Sequence, residues 1–403
     1  MSLILYKDLV DDCSVACIPE SGNVKAVGKR FITKKNPFAY NENLLIFGEG
    51  VGIPIWNGET WKQIINRESF DLDPASLLDT GNALEVEKDY YGYICIDGEN
   101  PEIVFSLNES YPDGSSALTS RKFCHIHNGI IRKVSDDGLW IPIDSQGNKF
   151  GSSGVKWQDN VTVGIVPNSI WDLKHKPKIS HPGLVEVKNG LWMGAFQVSM
   201  EETISFMGGT NGLHVSAGKL ATKYGAIPVT GTEGMNQYTF NELAQKQGLR
   251  LPKYDEWLAG AVGTPQGEDG SNNYGWTKTT NTGRTYTGCS VNTSNGNYDA
   301  LNGVKPFAIS AMNLHDCAGN VSEWTSDTSI RQDSTSWNWQ NVLGAGMGQA
   351  YLPFAVGLVA LRCGNNWSSG VHCGARTVSV DDNPWDVGTY IGARLACDGE
   401  DAA

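Results

Sequence analysis

Cys124, His125 and His127, in "CHIH", and Cys13 with Cys17, in "CSVAC", are side chains whose types could hold zinc through imidazole and thiolate. Neither group has a second pair at the spacing such a site needs. The alternation in "FCHIHNG" reads instead as a strand, where a buried free thiol is an ordinary core residue. Nine cysteines, at 13, 17, 95, 124, 289, 317, 363, 373 and 397, are an odd number scattered over the chain and form no disulfide framework. In "AGNVSEW", Asn320 and Glu323 offer oxygens of the kind calcium uses, but two side chains do not make a site. The plainer reading makes them polar loop anchors beside a core staple, Trp324. Arg376 and Arg394, two guanidinium groups among few carboxylates, are suited to clamping loop carbonyls, and His372 reads as a surface side chain rather than a metal ligand or base.

The elements that must position these residues are mostly strands. With 403 residues, two or three domains are expected, and 47 glycines and 13 tryptophans beside only 19% charged residues favour an α+β, β-rich class. Short apolar runs such as "NLLIFGEG" and "VGIPIWNGETW" place an N-terminal β-rich assembly or attachment domain at 1–75. It is small enough that oligomerisation would help it. "DYYGYICIDGE", "EIVFSL" and "VTVGIVP" place a β-sandwich-like domain at 76–168. Past "NSIWDLKHKP" the texture changes, and 169–403 is expected to be a third domain. There "SMEETISFMGG" after Ser199, "TFNELAQKQG" from Thr239 and "KYDEWLAGAVG" read as helices, the first two with acidic residues near their starts and glycine at their ends. Pro252 is placed to open the last of them, with Asp255 and Glu256 at its positive end and Trp257 packed inward. From about 264 onward, Gly, Asn and Ser dominate and few strands are expected.

The formal charge of −13 and the absence of a Lys/Arg cluster exclude a nucleic-acid footprint. No apolar run reaches the length of a membrane span, so membrane insertion is not expected, and "MSLILYKDLVDDC" lacks the basic and apolar regions of a signal peptide.

"RLPKYDEW" (Arg250 to Trp257), "LHDCAGNVSEWTSD" (Leu314 to Asp327) and "GARLACD" (Gly392 to Asp398) resemble, in this order, the formylglycine-generating-enzyme branch of the C-type lectin fold over roughly 180–398. The resemblance implies a C-type-lectin-like C-terminal domain, and members often carry a structural calcium near the positions of Asn320 and Glu323. It also raises an oxidase activity, which needs a close cysteine pair with flanking aromatics. Cys363 and Cys373 stand ten residues apart without them, so no enzyme is expected and Cys373 and Cys397 read as small apolar packing residues.

"SIWDLKHKP", "GLRLPKYDEWLAGAVGT", "NNWSSGVHCGAR" and "IGARLACD" resemble more closely the variable proteins of diversity-generating retroelements, in particular the major tropism determinant class of phage tail-fibre receptor-binding proteins, over about 90–398. "GIPIWNGETW" is also similar to tail-fibre segments. In that family an adenine-targeted copying process rewrites chosen positions of the last segment while the lectin fold holds the backbone. Asn codons altered only at adenines never encode Lys, Glu, Gln, Met or Trp, and Cys363 to Asp398 contains no Lys, Glu, Gln or Met. The resemblance implies replaceable, ligand-binding positions at Asn365, Asn366, Ser368, Ser369, Val371, His372, Ser379, Val380, Asp381, Asp382, Asn383, Asp386, Gly388 and Tyr390. It implies a fixed frame of Trp367, Gly370, Gly374, Ala375, Arg376, Pro384, Trp385, Ile391, Gly392 and Arg394. The function expected is binding of a host cell-surface protein or glycan by a homotrimer on a virion tail fibre, with no cofactor beyond the structural calcium. Rival readings are display on a cell surface, a formylglycine-generating-type oxidase, and a calcium-dependent glycan lectin. The last lacks the E-P-N, Q-P-D and W-N-D sugar-coordinating signatures.

Overall fold

The computed structural model describes residues 3–6, 30–35, 43–56, 59, 61–97, 100–132, 161–207, 214–264, 283–288, 309–333, 339–340, 349–352, 355–369 and 372–400. Two compact units emerge, one of 1–131 with 162–177 and 399–403, the other of 132–161 with 178–398.

In the first unit the short apolar runs become antiparallel sheets. Leu3–Tyr6, Trp61–Asn66 and Val51–Trp56 pair in that order, as do Ile32–Lys34, Leu45–Phe47 and Phe70–Leu72. A larger sheet runs Val161–Ile165, Ser120–Arg132, Lys88–Asp97, Asn100–Ser106, with Trp171–Asp172 also paired to Ser120–Arg132. Residues expected to belong to separate small domains, Phe31 and Phe47 before 75 and Phe123 and Ile126 after it, lie in one buried hydrophobic cluster. The "WDLKH" turn ties into it. Buried Asp172 accepts the amides of Phe31 (2.7 Å) and Ile32 (2.9 Å) on one oxygen and those of Lys174 (2.8 Å) and His175 (3.0 Å) on the other.

The "CHIH" residues occupy the Ser120–Arg132 strand, with Cys124, His125 and His127 all buried. Alternation puts His125 and His127 on one face, opposite Cys124. There His127 faces two carboxylates, Asp89 Oδ1 at 3.2 Å from Nδ1 and Glu87 Oε2 at 3.0 Å from Nε2. Both nitrogens meet acceptor-only groups, so the ring is held as an imidazolium. Among the described residues no cluster of His, Cys, Asp or Glu has the geometry to hold a metal.

The second unit is an α+β arrangement. Leu184–Lys188, Leu191–Gly194 and the terminal Ala396–Asp398 form one sheet, so its opening and closing strands are neighbours. The main sheet runs Trp339–Gln340, Ala350–Tyr351, Gly374–Ser379, Ala355–Gly364, Ser322–Asp333, Ile391–Ala393. Helix α1 is Gln237–Lys246, capped by Asn236, and α2 is Tyr254–Ala261, with Lys253 at its N-cap. Both sit within two residues of where their sequence signals place them.

Two expectations fail here. "SMEETISF" is not a helix but the strand Val198–Phe206, paired antiparallel with Val215–Thr222. Thr203, Ile204 and Phe206 suit a pleated surface, and Glu201 reaches across the hairpin to Lys219 at 3.3 Å. Cross-strand pairing thus outweighs a local cap-like pattern. The stretch beyond 264 is not strand-poor either, since it supplies every strand of the main sheet. Its strands bury polar residues such as Ser322, Glu323, Thr325, Thr377 and Ser379 beside apolar ones, so they show no simple apolar period in the sequence.

Candidate functional site

Glu323 and Arg394, both fully buried, meet at the centre of the second unit. Arg394 donates Nε to Glu323 Oε2 (2.9 Å) and Nη2 to Oε1 (2.7 Å), and gives further bonds to the carbonyls of Gly194 (2.8 Å), Ala195 (2.9 Å) and His315 (2.6 Å). The Trp257 indole donates to Glu323 Oε2 at 2.6 Å and Gln197 Nε2 to Oε1 at 3.0 Å. "RLPKYDEW", "AGNVSEW" and "GARLACD" therefore converge on one ion pair. A second tie repeats the pattern nearer the surface, where Arg250 holds Glu256 (2.6 and 2.9 Å) and Asp398 (2.7 Å). Gly392 is required beside this centre, because a Cβ there would lie 2.8 Å from Val321 Cγ2 and 2.9 Å from the Val229 carbonyl.

Two loops rise from this base, residues 365–373 and 380–390. Both return to Ser322, at the start of its strand: its amide donates to the Tyr390 carbonyl (2.9 Å), and its hydroxyl accepts from Asn366 Nδ2 (3.4 Å) and Arg362 Nη1 (3.3 Å). The first loop is locked from within. Asn365 takes the left-handed conformation, φ 56°, which Asn tolerates, and its amide donates to the His372 carbonyl at 2.7 Å. Asn366 Oδ1 accepts from the Ser368 amide (2.9 Å) and hydroxyl (2.7 Å). The second loop lies against the start of α1, where the Gln237 amide donates to the Pro384 carbonyl (3.1 Å) and the Gly231 amide to the Gly388 carbonyl (3.0 Å).

Arg362, buried on the central strand, governs the electrostatics. Its Nη2 donates to both Asp381 oxygens (3.0 and 3.1 Å), its Nε pairs with Asp382, and its guanidinium lies 5.3 Å from the Tyr390 ring centre. Burial pushes the Asp382 carboxyl up to about 6 against the pull of Arg362, with Asp381 and Asp386 adding repulsion. Burial likewise raises the Tyr390 phenol. On the other flank His372 stacks on Trp339 at 4.3 Å and 9° between planes, and Trp339 tilts against Tyr351. What the loops present is therefore hydroxyl, amide, carboxylate and aromatic surface of fixed orientation.

Comparisons with known proteins follow this division. Residues 177–399 match the sulfatase-modifying factor enzyme 1-like domain, and 62–172 match the Mtd second domain. The chain belongs to the sulfatase-modifying factor enzyme 1-like family. It is 24% identical over 335 residues, 78% of this chain and 72% of the relative, to the tail fiber receptor-binding protein of Bordetella phage BPP-1. The solved Major Tropism Determinant M1 variant superposes with a TM-score of 0.58 at 19% identity, covering 92% of this chain and 86% of that one, and the U1 variant with 0.57 at 20% over the same shares. These likenesses establish the C-type-lectin-like fold expected from the motifs.

Within this sulfatase-modifying factor enzyme 1-like unit the described cysteines are packing residues. Cys363, Cys373 and Cys317 are fully buried and free, and burial raises all three thiols, that of Cys317 to about 12. A reactive thiolate needs the opposite shift. Cys397 is also buried, as expected. The oxygens considered for calcium are engaged within the protein: Glu323 by Arg394, and Asn320 Oδ1 by the Thr285 amide at 2.8 Å.

The sequence-derived positions divide. Ser368 is exposed, and Ser369, His372, Val380, Asp381, Asp382, Asn383, Asp386 and Tyr390 are half-buried at the loop surface. Asn365, Asn366 and Ser379 are buried and hold the loops rather than face outward. At Gly388 a Cβ would lie 2.8 Å from Ile391 Cδ1 and Cγ1, so a side chain there requires Ile391 to shift. Val371, like the frame residue Gly370, lies outside the described residues. In the frame, Ala375, Pro384, Ile391 and Arg394 point inward, but Trp385 is 48% exposed and is not a staple. Arg394 clamps loop carbonyls as expected, with Glu323 as an unforeseen partner. Arg362 was missed. Its signal is a lone charge inside the apolar run "VALRC", where a buried guanidinium must find a carboxylate.

Proposed function

We propose that this protein is a phage tail-fibre receptor-binding protein whose 365–390 loops form a retroelement-diversified face for a host cell-surface protein or glycan. The observation that carries it is the separation of a rigid base, Arg394–Glu323–Trp257, from two loops whose polar and aromatic side chains reach the surface. The BPP-1 tail fiber receptor-binding protein supports the same reading through its name and its match along most of both chains. Tyr, Asn, Ser and Asp on a fixed backbone suit adaptable recognition. A homotrimer on the virion tail would convert weak single contacts into avidity. Binding then needs no enzyme chemistry, and it survives chelation of calcium.

The test pairs stability with attachment. Exchanging Ser368, His372, Asp386 and Tyr390 together leaves the protein folded with a modestly lowered midpoint, exposed Ser368 shifting stability by about 0.5 kcal/mol or less and the three half-buried residues by about 1 kcal/mol each. Attachment to a host strain found by screening a bacterial panel falls sharply. Tyr390→Ala alone costs on the order of 2 kcal/mol of binding if it sits at the centre of contact. Full stability with undiminished attachment would move the binding face elsewhere. Oxidation of a cysteine in a sulfatase-motif peptide would restore the enzyme reading.

A further inference from the structure

Arg362 lies on the scaffold strand Ala355–Gly364, yet its two countercharges, Asp381 and Asp382, come from the loop proposed to vary. A guanidinium cannot shed its charge in a protein, and a buried one left alone is costly. Its planar fork suits carboxylates, and here two share it: Nη2 reaches both Asp381 oxygens at 3.0 and 3.1 Å while Nε pairs with Asp382. The surroundings hold this arrangement: Ser379 Oγ donates to Asp381 Oδ1 at 2.7 Å, Ser322 Oγ lies 3.3 Å from Nη1, and the Tyr390 ring lies 5.3 Å from the guanidinium carbon.

We propose that Arg362 is a fixed carboxylate-binding site, closed in this chain by Asp381 and Asp382 as built-in stand-ins for a ligand carboxylate. Sequences at 381 and 382 then act as a gate. With aspartates at both positions the guanidinium is masked, and the face selects by its hydroxyl and aromatic groups. With a neutral residue at 381 the Nη2 edge that Asp381 occupies is freed, with neutral residues at both the whole guanidinium is, and the same scaffold recruits an acidic ligand. That the carboxylate belongs to a receptor rests on the proposed function, whereas the site itself rests on the geometry of Arg362.

The experiment follows the unfolding midpoint of the full chain against sodium acetate, with chloride keeping ionic strength constant. Three proteins are compared: the parent, Asp381→Asn/Asp382→Asn, and that double variant carrying Arg362→Gln. The double variant unfolds below the parent, and acetate raises its midpoint saturably, as a ligand bound only to the folded state does. The parent and the triple variant show no such rise. A double variant as stable as the parent, or an acetate rise equal in the triple variant, overturns the site. If the double variant does not fold in chloride, Asp381→Asn alone, which keeps Asp382, is titrated with acetate in its place. A saturable rise that Arg362→Gln abolishes then supports the site, and a midpoint equal to the parent's or a rise that survives Arg362→Gln overturns it. Attachment is not measured, so failure here leaves the proposed function standing.

Discussion

Glu323 and Arg394 lie fully buried with five further groups arranged around them, so removing one partner strands the other in a medium that solvates it poorly. Glu323→Gln keeps the shape and loses the charge, and it is expected to cost about 3–5 kcal/mol, read from denaturant unfolding. An unchanged midpoint would mean that the pair is dispensable. His127 gives a pH signature of the other unit. Asp89 and Glu87 raise its imidazole to about 10 against the cost of burial, above the roughly 6.5 of an unfolded chain. A group whose folded pKa is raised contributes its full stabilisation below the unfolded value and loses it as pH climbs to the folded one. Stability is therefore expected to fall between about pH 6.5 and 10, and His127→Asn should flatten that slope in unfolding curves taken across the range.

Strands and loops impose different tolerances on the same residue type. Trp324 is fully buried on the Ser322–Asp333 strand, whereas Trp385 stands 48% exposed on the second loop. Trp324→Ala is expected to lower stability by about 3–5 kcal/mol and Trp385→Ala by about 0.5 or less. Thermal unfolding of the two single variants separates them. Trp385 neighbours Pro384, whose carbonyl receives the Gln237 amide, and Tyr238 beside it is also exposed, so both aromatics flank the proposed face. Asn365 sets a further limit on the first loop. Its left-handed backbone makes Asn365→Val expensive, by roughly 1–2 kcal/mol, although a rewriting process could place Val there.

For the molecule as a whole, assembly and attachment are the measurable consequences. The short N-terminal strands belong to a unit whose cluster unites residues from Phe31 to Ile170. A trimer is expected to depend on residues before about 170, and sedimentation of the full chain tests it. A stable folded monomer across micromolar concentrations would remove the trimer and, with it, the avidity argument.

Local patterns were legible wherever neighbours in sequence decide the outcome. The helix read from Thr239 is α1, which begins two residues earlier at Gln237, Glu256 and Trp257 fall where "RLPKYDEW" places them, and the order of three motifs named the lectin-like fold. The adenine-compatible composition of 363–398 singled out a stretch that contains two loops reaching the surface. Which side of each loop faces outward was not legible, because it is set by contacts from far along the chain. Arg394 reaches the Gly194 carbonyl across 200 positions, Ser322 holds Asn366 from 44 away, and the hairpin partner of "SMEETISF" begins only at Val215. Composition and periodicity carry propensities of one segment at a time. Burial of Asn365, Asn366 and Ser379, exposure of Trp385, and the meeting of Arg362 with Asp381 and Asp382 each require two segments to be brought together, and only the tertiary structure does that.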